Sequence, residues 1–243
     1  MAINNPYIEK VKAHKNIINI YKDIYENKWK WSNYFWNKND LILEIWTWLG
    51  NFFSNQVVKN PDKNFLWMEI KYKRLYITAE KALWNLNNYV HNGVKFKSAI
   101  NKNKAENDLW ENNKNFVLLK DFAENIDKIF IEDEISKSYI FFPDPWDKKK
   151  KWLKNRLLQA WFLNNLYKTT KPWWKAIIKT DHFPYYEFIL EELKQTPWKI
   201  IKLSTDFEND EDFKNEETTE FQQLFRGQDI KINYIEIQKN LFT

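Results

Sequence analysis

The sequence predicts an α/β fold built on a mostly parallel sheet. Seven short apolar segments of strand length alternate with segments of helical periodicity, an alternation typical of doubly wound sheets. The first apolar segment is hydrophobic at successive positions, as strands buried on both faces of a parallel sheet are. The chain has 243 residues, enough for one α/β domain. We therefore predict a single domain, 1–243, with a seven-stranded sheet and helices on both faces.

The elements of this fold can be assigned along the chain. Residues 5–27 carry isoleucine and tyrosine at helical spacing, which predicts a helix within an N-terminal extension, 1–38. Residues 91–114 are rich in Asn and Lys and lack apolar periodicity, which predicts a surface insertion. The predicted strands are 41–45, 64–70, 115–119, 138–142, 175–180, 199–204 and 231–237. The predicted helices between them are 49–59, 71–90, 152–167 and 184–195.

Composition excludes several classes of protein. Hydrophobic residues make up 44% and charged residues 29% of the chain, which rules out a disordered or collagen-like protein. No apolar run approaches the roughly 20 residues of a membrane span, and the N-terminus lacks the apolar core of a signal peptide. There is no cysteine, and the 3 histidines are far apart in the sequence. We therefore expect a cytoplasmic protein with neither a membrane partner nor a metal site.

The net charge of the chain is +5, which is compatible with a polyanionic partner. An AT-rich gene, whose codons favour lysine and asparagine, would produce the same excess. The charge therefore leaves both explanations open.

The loop after the first predicted strand lies where nucleotide-binding α/β folds have a glycine-rich turn. It reads E-I-W-T-W-L-G over residues 44–50. With glycine at Trp46 and Trp48 it would read E-I-G-T-G-L-G, which is the acidic glycine-rich motif of S-adenosylmethionine-dependent methyltransferases. The second predicted strand ends near Glu69, and an acidic side chain there can accept hydrogen bonds from both ribose hydroxyls.

A second group of motifs follows the later strands. The segment F-P-D-P-W, 142–146, ends the fourth predicted strand and leads into a lysine-rich run. K-T-D, 179–181, ends the next strand, and T-E-F-Q, 219–222, precedes the last. Because ligands of open α/β sheets bind outside the carboxyl ends of the strands, we expect these motifs to form a binding site.

Together these motifs resemble the bacterial tRNA (guanine-N7)-methyltransferase family over about residues 25–237. F-P-D-P-W, the basic run and K-T-D, in that order, are specific to this family, and F-L-W-M-E at 65–69 resembles its F-I-G-I-E. The resemblance implies a Rossmann-like class I S-adenosylmethionine-dependent methyltransferase. It also implies S-adenosyl-L-methionine as cofactor, tRNA as partner, and methylation at N7 of a guanine in the variable loop.

The resemblance also implies a role for each residue that matches a family motif. The catalytic residue is Asp144, a carboxylate placed to stabilise the guanine as it becomes cationic. The cofactor-binding residues are Glu44, Trp46, Trp48, Gly50, Glu69 and Asp121. The substrate-binding residues are Lys148, Asp181, Thr219, Glu220, Phe221 and Gln222. The residues expected to contact RNA phosphates are Lys149, Lys150, Lys151, Lys154 and Arg156.

The chain departs from the family pattern at several positions. The family has a histidine in the basic stretch after Trp146, and this chain has none there. Asp121 lies one place before the family's acidic residue, whose slot is taken by Phe122. Gln222 stands where the family usually has glutamate. The adenine-binding residue is therefore open between positions 121 and 122.

The chain has 14 Trp and only 3 Gly, whereas average usage of about 7% would give roughly 17 glycines. Several tryptophans fall at glycine positions of the family: Trp29, Trp36, Trp46, Trp48, Trp67 and one or both of Trp173 and Trp174. In contrast, Trp31 and Trp146 match family tryptophans. We hypothesise that UGA encodes glycine in this gene and has been translated as tryptophan. No motif indicates whether the remaining tryptophans are genuine or stand for glycine: Trp84, Trp110, Trp152, Trp161 and Trp198.

Other functions stay open at this stage. If the tryptophans are real, an indole at Trp46 or Trp48 would occupy the cofactor space, and the chain would be a catalytically inactive tRNA-binding homologue. A methyltransferase for another nucleobase shares the same fold. A nicotinamide-dependent oxidoreductase shares the glycine-rich loop and the acidic strand end, but F-P-D-P-W with its lysine run argues against it. The sequence leaves monomer and homodimer undecided.

Overall fold

The computed structural model of the chain describes residues 5–19, 21–28, 31–45, 50–83, 88–91, 94–97, 115–213, 219, 222, 225, 228 and 230–240. The chain divides into two compact units, Met1–Phe122 and Ala123–Thr243. The predicted α/β fold with a mostly parallel sheet is confirmed, but the main sheet has eight strands in the described residues rather than seven. No helix of the described residues is long and apolar enough to cross a bilayer.

The first unit contributes four parallel strands to the main sheet, in the order β1-β6-β3-β2. Its strands are β1 (Ile17–Ile18), β2 (Leu41–Ile45), β3 (Asn64–Met68), β4 (Asn88–His91), β5 (Val94–Lys97) and β6 (Phe116–Leu119). Its helices are α1 (Tyr7–Ala13), α2 (Tyr21–Glu26), α3 (Trp31–Tyr34), α4 (Asn51–Lys59) and α5 (Tyr72–Ala82). Helix α4 packs on β3, and α5 packs on β6.

The eighth strand comes from the segment predicted as one helix, 5–27. Helix α1 ends at Ala13, and β1 then pairs in parallel with β6. The backbone N–H of Leu118 donates to the Asn16 carbonyl at 2.8 Å, and that of Lys120 donates to the Ile18 carbonyl at 3.0 Å. The helical prediction was wrong here because two β-branched residues also suit a short strand, and the unpaired backbone groups of β6 provide partners.

The predicted helix 71–90 also ends early, at Ala82. Strands β4 and β5 form a separate antiparallel pair, so β5 lies inside the predicted insertion 91–114. Residues 92–93 and 98–114 lie outside the described residues. The insertion, the N-terminal extension and the single-domain organisation stay predictions.

The second unit contributes β7, β8, β10 and β9, in that order. Its strands are β7 (Ile135–Phe141), β8 (Thr170–Thr180), β9 (Lys199–Ser204) and β10 (Asn233–Gln238). Its helices are α6 (Ile126–Ile129), α7 (Ala160–Thr169) and α8 (Phe183–Leu193). Strand β7 is parallel to β8, whereas β10 is antiparallel to both β8 and β9. The helix predicted over 152–167 is interrupted: Lys150–Asn155 form a 3₁₀ helix, Leu157 and Leu158 enter the core in a non-helical segment, and α7 begins at Ala160.

Aromatic clusters form the core of each unit. In the first, the Phe53 ring lies 6.0 Å from the rings of Trp67 and Phe116. In the second, Tyr234 packs against Phe213 at 4.5 Å. Full burial of such a side chain stabilises the fold by roughly 1.5–3 kcal/mol. These clusters fix the strands whose ends carry the predicted site.

Candidate active site

Three acidic side chains lie at or near the carboxyl ends of neighbouring strands in the first unit. Glu44 is the fourth residue of β2, Glu69 directly follows β3, and Asp121 lies two residues after β6. Each is at most 2% exposed. Because β2, β3 and β6 are parallel neighbours, the three carboxylates lie toward the same edge of the sheet. The predicted cofactor residues Trp46 and Trp48 lie outside the described residues.

Glu69 is held by the start of helix α5. Its Oε1 accepts hydrogen bonds from the backbone N–H groups of Ile70 (2.8 Å) and Lys71 (2.9 Å), and Nη1 of Arg74 donates to Oε2 at 3.2 Å. A carboxylate can accept about four hydrogen bonds, so the oriented Glu69 carboxylate retains capacity for a hydroxyl donor. This chemistry fits the ribose of S-adenosylmethionine.

The two candidates for the adenine-binding position, 121 and 122, differ in burial. Asp121 is buried, and its Oδ1 accepts a hydrogen bond from the Phe122 N–H at 2.7 Å. The Phe122 side chain is 46% exposed. The acidic group at this strand end is therefore fixed one residue earlier than in the family pattern, and the buried acid is the one at 121.

Gly50 begins α4 and requires glycine. Its φ is 68°, in the left-handed region, and a Cβ at this position would overlap the side chain of Thr78. Glycine is the residue that adopts this conformation without steric cost. The end of the predicted cofactor loop therefore has the backbone geometry of a glycine-dependent turn.

The loop 142–147 follows β7 and carries the F-P-D-P-W motif. It contains two prolines, which have no N–H to donate, so partners from other segments hold it. Three hydrogen bonds of 2.8 Å connect the loop to its surroundings: Phe142 N–H to the Lys179 carbonyl, Arg156 Nε to the Pro145 carbonyl, and His182 Nε2 to Asp147 Oδ2. The loop is thus held through its backbone at the beginning and the middle, and through the Asp147 side chain at the end.

Asp144 lies between these ties and is exposed. No side chain among the described residues forms a hydrogen bond or ion pair with its carboxylate. The loop therefore presents an ionisable oxygen pair that can meet a ligand without first breaking an internal contact.

The predicted basic run separates into two groups. The lysines are exposed, and Lys149 Nζ lies 5.2 Å above the ring of Trp152. Arg156 is only 6% exposed, and burial lowers the pKa of its guanidinium. The phosphate contact predicted for Arg156 does not agree with this position, because its side chain is committed inside the fold. The exposed lysines are Lys148, Lys149, Lys150, Lys151 and Lys154.

The Asp147–His182 pair was not identified from the sequence. His182 Nδ1 accepts a hydrogen bond from the Tyr185 N–H at 3.1 Å, which places the ring proton on Nε2, where it donates to Asp147. This hydrogen bond is the largest cause of a lowered Asp147 pKa. The signal available in the sequence was the position of His182, directly after K-T-D. The preceding Asp181 is exposed, and partial desolvation of its carboxyl raises its pKa.

Gln222 connects three segments of the second unit and is fully buried. Its Oε1 accepts hydrogen bonds from Lys179 Nζ at 3.2 Å and from the Thr219 N–H at 2.9 Å, and its Nε2 donates to Glu208 at 2.8 Å. Thr219 is also buried. Gln222 therefore anchors the T-E-F-Q segment internally, whereas the sequence predicted a substrate contact. The predicted substrate residues Glu220 and Phe221 lie outside the described residues.

Lys179, the first residue of the K-T-D motif, is a further residue to which the sequence assigned no role of its own. It is buried at the end of β8, and its Nζ lies 4.0 Å from the ring centroid of Phe207. The charge is thus met by an aromatic face and by the Gln222 amide. In the described part of the chain, no group of three His, Cys, Asp or Glu side chains is placed to hold a metal ion.

Comparison with known proteins gives the same family as the motifs. Residues 38–234 match the family described as "Putative methyltransferase". The chain is 30% identical to a tRNA (guanine-N(7)-)-methyltransferase of Bdellovibrio bacteriovorus, over 98% of this chain and 100% of that protein. It is 34% identical over 97% of its length to a bifunctional glycosyltransferase/methyltransferase of Fusobacterium nucleatum, of which it spans 33%.

Among solved structures, the chain is similar to the 16S rRNA methyltransferase KamB, with a TM-score of 0.51 at 10% identity. The match covers 90% of this chain and 92% of that one. This likeness establishes the fold, which is that of class I methyltransferases.

Proposed function

Since the chain belongs to the tRNA (guanine-N7)-methyltransferase family, we propose that it transfers the methyl group of S-adenosyl-L-methionine to N7 of a guanine in the variable loop of tRNA. The observation that carries the proposal is the F-P-D-P-W loop, which is held by two backbone hydrogen bonds and by the Asp147 side chain while Asp144 stays exposed. The substrate is a cytoplasmic RNA, and we place the protein in the cytoplasm.

The proposed reaction needs no catalytic base to generate its nucleophile. Guanine N7 carries a lone pair and no proton, and the bound cofactor supplies an electrophilic methyl group. Catalysis then consists of holding N7 in line for the transfer. The N7–methyl bond forms as the sulfonium–methyl bond breaks, and the positive charge passes to the guanine, so a carboxylate positioned beside it stabilises the transition state more than the ground state. Asp144 performs this role and accepts hydrogen bonds from guanine N1–H and N2–H.

The other predicted site residues bind either the cofactor or the tRNA. Glu44, Glu69 and Asp121 bind the methionine, ribose and adenine parts of the cofactor, and Gly50 ends the loop that approaches it. The exposed lysines bind tRNA phosphates, which makes binding dependent on salt concentration. Asp181, exposed after β8, contacts the substrate.

The proposal is tested with protein that carries glycine at positions 46, 48 and 67, by methyl transfer to an unmodified tRNA transcript followed by strand cleavage specific for N7-methylguanine. We expect one cleavage site, in the variable loop, and its loss when that guanine is replaced by adenine. Cleavage at another position would show that a guanine outside the variable loop is methylated. Methylation at another atom would identify a different nucleobase methyltransferase, and tRNA binding without transfer would support an inactive homologue.

Cofactor binding depends on the residues at positions 46 and 48, and we propose that glycine stands there in the cellular protein. Trp36 supports this proposal. Helix α3 ends with hydrogen bonds from the Trp36 N–H to the Asn33 carbonyl (3.1 Å) and from the Asn37 N–H to the Ser32 carbonyl (3.0 Å). This is a Schellman motif, in which the residue at position 36 is usually glycine. Trp36 has φ 57° there and is 92% exposed.

Other tryptophans add to the pattern. Trp173 has φ 69° and is exposed, whereas Trp174 has no left-handed φ, which favours 173 as the glycine position of that pair. Trp67 is completely buried, and its indole N–H has no hydrogen-bond partner among the described residues. Trp146 also has φ 49° although it matches a family tryptophan, so φ alone does not separate the two groups.

Trp198 has the environment of a genuine tryptophan. It is buried, and its indole N–H donates to the Leu163 carbonyl at 2.8 Å. Peptide mass spectrometry of the protein from its natural source tests the proposal. We expect glycine at 29, 36, 46, 48, 67 and 173 and tryptophan at 31 and 146. Tryptophan at 46 and 48 would contradict it and would favour the inactive tRNA-binding homologue.

A further inference from the structure

We infer that Arg156 is a positioning residue for the loop that carries Asp144, and that it acts through the carbonyl of Pro145. The inference rests on the proposed function for its catalytic consequence. It replaces the role of phosphate contact that the basic run suggested for this arginine.

The first support is the hydrogen bond from Arg156 to the loop. Arg156 Nε donates to the Pro145 carbonyl at 2.8 Å, and this carbonyl belongs to the residue directly after Asp144. Pro143 and Pro145 cannot donate backbone hydrogen bonds, so the middle of the loop relies on acceptors such as this carbonyl. A charged donor forms a stronger hydrogen bond than a neutral one.

The second support is the way the guanidinium itself is held. Its central carbon lies 4.8 Å from the ring centroid of Tyr185 and 4.7 Å from that of Phe188, both on α8. Tyr185 is completely buried, and its hydroxyl accepts a hydrogen bond from the Leu158 N–H at 3.2 Å. Arg156 is therefore fixed between a rigid helix and the loop, and its position sets that of Pro145.

Lysine cannot reproduce this arrangement. The guanidinium is planar, stacks on aromatic rings and has a donor at the ε position, whereas the lysine ammonium is a strongly hydrated point charge on a flexible stem. A phosphate contact tolerates lysine because it mainly needs a positive charge. Arg156→Lys therefore separates the two roles.

The experiment compares Arg156→Lys and Arg156→Met with Lys151→Met, which removes an exposed charge nearby. For each protein, kcat and KM for tRNA are measured below its unfolding temperature, and affinity for tRNA is measured across salt concentrations. Hydrogen–deuterium exchange is followed in peptides covering 142–147. Because a displacement of about 1 Å can lower a rate by about 100-fold, we expect both Arg156 variants to lose about 10- to 100-fold in kcat.

In the same proteins, we expect KM for tRNA to change little at position 156, and exchange in 142–147 to become faster. Lys151→Met should instead raise KM and lower the salt slope by about 1. The inference is overturned if Arg156→Lys keeps the wild-type kcat and exchange, or if Arg156→Met behaves like Lys151→Met. A loss of thermal stability with unchanged kcat would reduce Arg156 to a purely structural role. If Arg156→Met does not fold, kcat and the exchange of 142–147 in Arg156→Lys test the inference alone.

The exchange measurement also separates this inference from the proposed function. A wild-type protein without methyl transfer would contradict the function, while the exchange of 142–147 in Arg156→Lys would still decide whether this arginine holds the loop.

Discussion

The acidic residues of the first unit and the acidic residue of the second are fixed in opposite ways. Glu69 and Asp121 are buried, and each accepts a hydrogen bond from the backbone N–H of the residue that directly follows it. Asp144 is exposed and has no such bond in the described residues, while the backbone around it is held by more distant residues. At the two acids proposed to bind the cofactor the fold fixes the side chain, whereas at Asp144, proposed to meet the substrate, it fixes the loop and leaves the carboxylate exposed.

The largest effect expected from this difference is on Asp144. Asp144→Asn should lower kcat by about 100- to 1,000-fold, as the loss of a preorganised electrostatic contact does. Affinity for tRNA should change little, because many phosphate contacts determine it. Steady-state kinetics and filter binding measure the two quantities. Asp62→Asn, a change at an exposed acid of the first unit, is the control, and wild-type turnover in Asp144→Asn would remove this residue from the mechanism.

A change at Glu69 should act on the cofactor. Glu69→Gln removes charged acceptors, each worth about 1.5–3 kcal/mol, and should weaken S-adenosylmethionine binding by about 10- to 100-fold in calorimetry. Arg74→Gln is the matched control, because it removes the 3.2 Å ion pair and leaves the carboxylate in place. A larger loss in the control than in Glu69→Gln would mean that Glu69 serves α5 rather than the cofactor.

Replacing Trp36 by glycine should relieve backbone strain at the end of α3. Trp36→Gly is expected to raise the free energy of unfolding by about 1 kcal/mol, because glycine adopts the left-handed conformation without the Cβ penalty. Trp36→Ala removes the same exposed indole but keeps that penalty, and should stay below the glycine variant in denaturant unfolding. Equal stability of the two variants would show that the backbone at position 36 is not strained.

The smallest expected effect concerns the Asp147–His182 tie. The hydrogen bond from His182 lowers the pKa of Asp147 in the folded state. A lowered carboxyl pKa stabilises the fold above the unfolded-state value, about 3.9, and this contribution is lost as the pH falls through the folded-state pKa. Asp147→Asn should therefore reduce the denaturation midpoint slightly at pH 7, and the difference from wild type should shrink below about pH 4.

His182→Asn is the control for this tie. Asparagine preserves the capping of α8 but does not have the Nε2 donor that reaches Asp147. The double variant Asp147→Asn/His182→Asn should be as stable as the less stable of the two single variants. Additive losses would mean that the two side chains act independently.

The same contrast explains what the sequence could predict. The seven predicted strands, the acids at the strand ends and the F-P-D-P-W loop were placed correctly because each depends on a local pattern. Arg156, His182 and Lys179 were misassigned or missed because their side-chain hydrogen-bond partners lie 11, 35 and 43 residues away in the sequence. A lysine-rich run gives no indication that its arginine turns inward, since that outcome depends on two rings of α8.

Strand β10 has a consequence for how the second unit is made. It lies between β8 and β9 and pairs with both, although it is the last of the three in the chain. Until residues 233–238 have left the ribosome, β8 and β9 keep open edges that can pair with other chains. The second unit therefore folds late in synthesis. A chain that ends before Asn233 should accumulate in aggregates even though every predicted site residue is present.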